Sequence, residues 1–412
     1  MEKVYGIIDI GTNRVSTIIC STEHNKYSIL GKGTSECTGI NKGFITNPRL
    51  VSAALSSAIE HAETMAGASL HSAYINLKPI HIEVINKRVF CDILGKDRKV
   101  LSEDIKLIND ELKNIELNSE CQLIDIIPRH YILDNHEGIF DPTGMLGSRL
   151  GIDAFVICGF KEHINTIMRC MNNVDLEVDG FIIEPLAIAK SVSESNIENE
   201  DDAGIIVINI NEDITDIAVF SGDKLVFSNS LPVGGYNIVN DLSISLEIPF
   251  DEAEKLKKQC GLALLSMIQE DSEFTVSDIN DSRNNKIILL SWVVEIIEAR
   301  IQEIFTLGKD MIIQNDESLF KAKEVLLTGS GISQLLGCIE LANNVFSIPV
   351  RAVDFEDSEE PEYATCQIMA RFLASCPGDL WPGSNVDFFS ISGKQNKKNI
   401  LDKIVAFLER FL

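Results

Sequence analysis

No run of about 18 consecutive apolar residues occurs in this chain, so no transmembrane helix is expected. Bases are scarce: 36 Lys and Arg stand against 62 Asp and Glu, a formal charge of −26. A field of that sign repels phosphate backbones and anionic lipid over most of the surface. It excludes a nucleic-acid partner and requires a local basic patch for any membrane contact. No two of the ten cysteines form a Cys-x-x-Cys pair, so no zinc or redox motif stands out, and free thiols suit a reducing cytosol. A strand pattern begins almost at the N-terminus, leaving no room for a signal peptide. What is present in quantity is apolar: 45% of 412 residues, enough for two or more packed cores.

"YGIIDIGTNRVSTIIC" near the start and "GIIVINI…TDIAVFSG" from Gly204 share a layout, two apolar strands joined by a tight turn. The pattern suggests a duplicated α/β core with a cleft between the halves. A third strand is expected near Tyr27–Gly31. "NPRLVSAALSSAIEHAETMAG" has helical spacing and stops at Gly67 as a glycine C-cap would. From about Glu83 to Lys161 the texture becomes strand-rich, with one helix opened by Ser102 as N-cap. That block reads as an inserted small α+β domain. The acidic stretch Ser195–Gly204 is the best domain boundary. Further on, "KIILLSWVVEIIEARIQEIFTLGKDMI" is expected as one long helix, and "KEVLLTGSGISQLLGCIELANNV" as strand, glycine turn and helix.

Phosphate binding needs backbone N–H groups converging on one spot, which glycine permits. Asp9-Ile10-Gly11-Thr12 fits: Gly11 lets the backbone approach, Thr12 adds a hydroxyl, Asp9 suits a magnesium-bound water, Asn13 completes the turn and Arg14 adds charge. An ordinary tight turn explains the same residues. Gly234-Gly235 lies between a strand and a helix, and Gly329-Ser330-Gly331 offers bare backbone to a flat ring. Glu254 and Lys257 share a helix face, where a solvated ion pair is the plainer reading.

Taken in order, these pieces resemble the actin and heat-shock-chaperone ATPase superfamily, and within it the FtsA family of bacterial cell-division proteins. The stretches that carry the resemblance include "YGIIDIGTNRV", "DIIPRHYILDNHEGIFDPTGMLGSRL", "VDGFIIEPLAIA", "LPVGGYNIVNDLS", "AEKLKKQCGLAL" and "VLLTGSGISQLLGCIELANNVF". The Pro128–Leu150 block is the most specific. The resemblance implies a two-lobed actin-like fold of duplicated RNase H-like cores with magnesium-ATP in the cleft. It also implies a peripheral protein on the cytoplasmic face of the membrane at the division site. There it would self-associate, bind the C-terminal tail of the division tubulin FtsZ and recruit later divisome proteins. The first lobe would comprise residues 1–83, 164–195 and 355–384, the small domain 84–163, the second lobe 196–354, a linker 385–398 and a membrane-targeting helix 399–412. Glu184 would lie near the nucleotide and orient water; an acid favoured by a helix N-terminus explains it equally. A pilus-assembly actin homologue or a small-molecule kinase of the same superfold are the competing readings.

The sequence departs from the family at the second phosphate turn, which there reads Asp-Ile-Gly-Gly-Gly-Thr. Here Asn209 replaces the acid, Asn211, Glu212 and Asp213 replace the glycines, and Ile214 replaces the threonine. The two acids are expected to strain a left-handed turn. A carboxylate about 5 Å from a phosphate costs roughly 3 kcal/mol at an effective dielectric near 20, about a hundredfold in affinity. The expectation is weak ATP binding and negligible hydrolysis, unless the acids turn outward. A second departure puts Leu77-Lys78-Pro79 where the family has glycines.

The C-terminal "NILDKIVAFLERFL" places Ile400, Leu401, Ile404, Val405, Phe407, Leu408, Phe411 and Leu412 on one broad helical stripe. From Lys394 onward, five bases, among them Lys397, Lys398, Lys403 and Arg410, face two acids. That reversal of charge suits an anionic membrane surface; a helix packed on its own domain shows the same stripe.

Overall fold

The structure is a computed structural model and describes residues 3–23, 26–93, 95, 97–193, 204–222, 224–277, 285–317, 322–353 and 360–375. Nearly all of the acidic break at 195–204, and the linker and terminal helix expected over 385–412, lie outside the described residues.

The strand–turn–strand pattern folds twice into the same plan. One sheet runs in the order Glu177–Ile183, Ser72–Leu77, Lys3–Ile10, Arg14–Glu23, Lys26–Glu36. The other runs Val350–Ala352, Ala322–Thr328, Gly204–Ile210, Thr215–Ser221, Lys224–Leu231. In each, three antiparallel strands follow one another and two later strands join in parallel. The matching registers are Lys3↔Thr22 to Ile10↔Val15 and Ile205↔Phe220 to Ile210↔Thr215. The run Ile205–Ile210 is continuously apolar, Asn209 excepted, because helices cover both faces of its sheet and every residue in it is buried.

The Pro48–Ala66 helix begins where Asn47 Oδ1 accepts the Arg49 and Leu50 N–H groups, and Pro48 stands at its first position. It ends at Gly67, whose φ of 67° is left-handed. Val51, Leu55, Ala58 and Ile59 face the first core.

Between Ile82 and Phe160 a separate sheet forms in the order Ile82–Asp92, Arg149–Phe160, Cys121–Leu133, His136–Ile139. Its own core holds Ile108, Leu112, Leu150 and Ile152. Pro128 sits within a strand, which its missing N–H permits because the register shifts there, at Asp153/Ala154. Asp153, fully buried, is held by Arg88 Nε at 2.6 Å and Arg129 Nη1 at 3.2 Å.

Three local expectations need correction. Ser102 is the first residue of its helix and Leu101 the cap; the Asp104 carboxylate accepts the Leu101 N–H at 2.9 Å. The long helix is Leu290–Asn315, because Asn285–Leu289 pairs as a strand with Glu273–Ser277. After the Ala322–Thr328 strand the helix begins only at Cys338, since residues 330–337 turn against the Gly261 and Ile210 carbonyls.

Candidate functional site

The ends of the Lys3–Ile10, Ser72–Leu77 and Gly204–Ile210 strands are joined through Asp9, Asn76, Glu184 and Asn209, at the strand ends where an open α/β sheet usually takes its ligand. The first turn holds Gly11, Thr12, Asn13 and Arg14. Its Gly11 N–H donates to the Arg14 carbonyl at 3.0 Å, and Arg14 Nε reaches Asn13 Oδ1 at 3.4 Å. Asp9 lies just before it. Asn76 Nδ2 bridges Asp9 Oδ1 at 2.8 Å and Glu184 Oε2 at 3.0 Å.

Glu184 opens its helix as expected, but inside the protein at 3% exposure. Asn209 Nδ2 donates to its Oε1 at 3.0 Å and Thr365 Oγ1 at 3.3 Å. Burial raises its pKa, against the pull of the Lys78 ammonium. Asp216, also buried, accepts from Ser230 Oγ at 2.5 Å and Asn211 Nδ2 at 3.4 Å. Burial, then the charge of Glu184, pushes it up to about 7.

The cation of this network is Lys78, only 7% exposed at the end of the Ser72–Leu77 strand. Burial works against its charge, but Asp9, Glu184, Asp216 and Asp213 outweigh burial and hold its pKa above the ordinary value. Asp9 and Glu184 come from the first lobe, Asp213 and Asp216 from the second. Asn76, Lys78 and Asp216 were not singled out as site residues from the sequence. The signal available was a charged or amide side chain at an inward position of an otherwise apolar strand.

The second turn is built differently from the expectation. None of Asn211, Glu212 or Asp213 has a positive φ, so no left-handed strain arises; the Asn211 N–H donates to the Ile214 carbonyl at 2.9 Å. Nor do the acids turn outward. Asp213 Oδ2 accepts the Lys42 N–H from the first lobe at 3.2 Å. Ile214 is buried, with its Cδ1 3.5 Å from where a Cβ on Gly43 would stand.

Gly234-Gly235 and Gly329-Ser330-Gly331 come together with this turn. The Gly235 N–H donates to the Asn211 carbonyl at 2.9 Å, the Tyr236 N–H to the Glu212 carbonyl at 2.7 Å and the Gly331 N–H to the Ile210 carbonyl at 2.9 Å. A Cβ on Gly235 would stand 2.6 Å from Gly331 Cα and 2.8 Å from Glu212 Oε2. Lys257 is buried beneath, its Nζ 3.5 Å from the Gly235 carbonyl; burial lowers its pKa while Glu212 and Glu254 oppose. Glu254 makes its ion pair with Lys258, at 2.7 Å, and not with Lys257.

These residues do not fit a magnesium-nucleotide in this conformation. The N–H groups at the start of the Gly235–Ser245 helix, where an anion would bind, are already satisfied by the chain's own carbonyls. The two glycine turns lie backbone to backbone where Gly235 meets Gly331. Among the described residues no group of three or more His, Cys, Asp or Glu is arranged to hold a metal ion.

Comparison with known proteins agrees with the fold. The PilM–PilN type IV pilus biogenesis complex matches with a TM-score of 0.58 at 13% identity over 90% of this chain and 99% of that one. MreB5 of Spiroplasma citri bound to ADP matches with 0.55 at 13%, over 90% and 97%. The architecture is the actin-like two-lobed fold with an inserted domain. The family model "SHS2 domain inserted in FTSA" matches residues 80–158 and "Cell division protein FtsA" matches 206–367. Among relatives, the cell division proteins FtsA of Enterococcus hirae and Neisseria meningitidis are both 30% identical, over 84% and 85% of this chain and 77% and 83% of theirs. That of Pseudomonas aeruginosa is 29% identical over 84% of this chain and 81% of its own. The sheet plan, the inserted domain and this likeness along most of the sequence lead to one family: the chain belongs to the FtsA cell-division proteins.

Proposed function

We propose that this chain is a cell-division adaptor that tethers FtsZ filaments to the cytoplasmic face of the membrane and helps recruit later divisome proteins. The observation that carries the reading is the match of both FtsA models, body and inserted domain, on one chain. In this reading the second lobe, residues 196–354, takes the FtsZ C-terminal tail, and the inserted domain, 84–163, meets neighbouring copies or late partners. Residues 1–83, 164–195 and 355–384 complete the first lobe, 385–398 give reach, and the 399–412 helix lies in the membrane surface. Monomers bind membrane weakly, and self-association strengthens attachment through multivalency. ATP is expected to bind weakly and to be turned over negligibly, because the glycine turns that would hold it must first part from the chain's own carbonyls. The pilus-complex likeness concerns fold alone and does not favour the competing reading.

The test is flotation with anionic vesicles. The full chain floats, and a chain ending at Asn399 stays in solution with an unchanged melting temperature. A truncated chain that still floats removes the tail from the anchor role. Co-sedimentation with purified FtsZ is expected for both forms, and its absence sinks the adaptor reading.

A further inference from the structure

The Arg149–Phe160 strand of the inserted domain has residues on two faces. Leu150, Ile152 and Ala154 enter the domain's own core. On the opposite face Ile157 belongs to the core of the first lobe, and Phe155 packs against the core of the second. One strand face therefore meets both lobes. Beside it, the ladder to Cys121–Leu133 passes from Asp153↔His130 to Ala154↔Pro128 and leaves Arg129 without an opposite residue, a β-bulge. The Arg129 guanidinium lies over the Phe155 ring, 4.9 Å from its centroid, and its Nη1 donates to Asp153 Oδ1 at 3.2 Å. The Arg129 carbonyl accepts Lys224 Nζ of the second lobe at 3.1 Å. Lys224 opens the Lys224–Leu231 strand, the edge of the second sheet. Edge strands usually face water, yet Leu225–Ser228 are all buried, with the Ile82–Asp92 strand of the inserted domain and the Leu290–Asn315 helix against them.

We propose that the inserted domain is a brace: it fixes the angle between the two lobes, and displacing it frees them to rotate. By connectivity the domain belongs to the first lobe, which it leaves after Pro79–His81 and rejoins at the Lys161–Asn172 helix. Its contacts at Phe155 and Arg129 therefore cross to the other lobe. They act alongside the two bonds nearer the cleft, from Asn209 to Glu184 and from the Lys42 N–H to Asp213, which also join the lobes. Rotation of one lobe against the other must break the Lys224 bond or draw Phe155 off the second core. A shared contact couples its two ends in both directions. A protein that shifts the inserted domain loosens the bonds at Asp213 and Glu184, and a ligand that opens the cleft strains the Phe155 contact. That regulatory consequence rests on the adaptor reading, in which the inserted domain meets other proteins; the brace itself rests on the contacts alone.

Amide exchange of the full chain tests it, comparing wild type with Phe155→Ala. The reporters are the Lys42 amide, whose acceptor Asp213 lies in the other lobe, and the Asn211–Ile214 turn. Both lose protection in the variant, because local opening sets exchange, while the Ser102–Lys113 helix keeps its protection and shows the inserted domain still folded. Loss confined to the Arg149–Phe160 and Lys224–Leu231 strands means that Phe155 only fills a local gap, and it overturns the brace. So does a variant that exchanges like wild type throughout. If Phe155→Ala does not fold, Lys224→Met decides, since it removes one hydrogen bond and keeps the aliphatic stem. Lost protection at Lys42 in that variant supports the brace, and unchanged protection refutes it. The measurement uses the purified chain alone, so its failure leaves the vesicle and FtsZ experiments untouched, and theirs leaves the brace untouched.

Discussion

His81 and His163 stack with ring centroids 3.2 Å apart and planes 14° from parallel, and Phe44 meets both edge-on. Both are buried. Burial lowers His81 to about 2, with the His163 and Lys78 charges adding to it, and burial lowers His163 to about 4. A depressed folded-state pKa means stability that is complete above the unfolded value near 6.5 and lost as pH falls through the folded one. Between the unfolded and the folded value each histidine costs at most about 1.4 kcal/mol per pH unit as the pH falls. Asp216, raised to about 7, has the opposite sign: its burial is tolerated in acid and costs stability as pH rises. The measurement is therefore a difference. Urea unfolding of wild type and His163→Phe between pH 7.5 and 5 should show the shallower acid loss in the variant; equal slopes would mean that the ring is protonated without penalty. Single residues were also where the sequence was least readable. The Leu77-Lys78-Pro79 departure was visible, but not its consequence, because the acids around Lys78 come from the first strand, the Glu184–Ser193 helix and the second hairpin, far apart in the sequence. A lysine's burial depends on charges that no local pattern places beside it.

At the scale of elements, strands and turns were the legible part. The repeated apolar runs foretold two hairpins, and Asn47, Pro48 and Gly67 marked a helix at both ends. The Asn285–Leu289 strand was missed because its apolar run continues into the helix without a break in composition, and only pairing with Glu273–Ser277 separates them. The glycine turns were found, but not that they touch. Gly235→Ala tests that contact. Its Cβ would meet backbone at Gly331, which cannot rotate away, so a cost of about 1–3 kcal/mol is expected from overpacking. Denaturant unfolding within about 0.5 kcal/mol of wild type would mean that the turns stand apart in solution.

The whole molecule pairs an acidic body with a basic, apolar C-terminal segment. In the proposed reading a net −26 would keep the body off anionic surfaces and leave attachment to that segment, which suits an adaptor whose attachment is reversible and strengthened by assembly. In the same reading ATP is held weakly and turned over negligibly, so attachment needs no nucleotide. Flotation of purified FtsZ with anionic vesicles, the full chain present and magnesium-ATP either added or withheld, tests this most directly. The account predicts FtsZ in the vesicle fraction in both conditions and in equal amount; FtsZ left in solution, or carried up only when ATP is present, would contradict it.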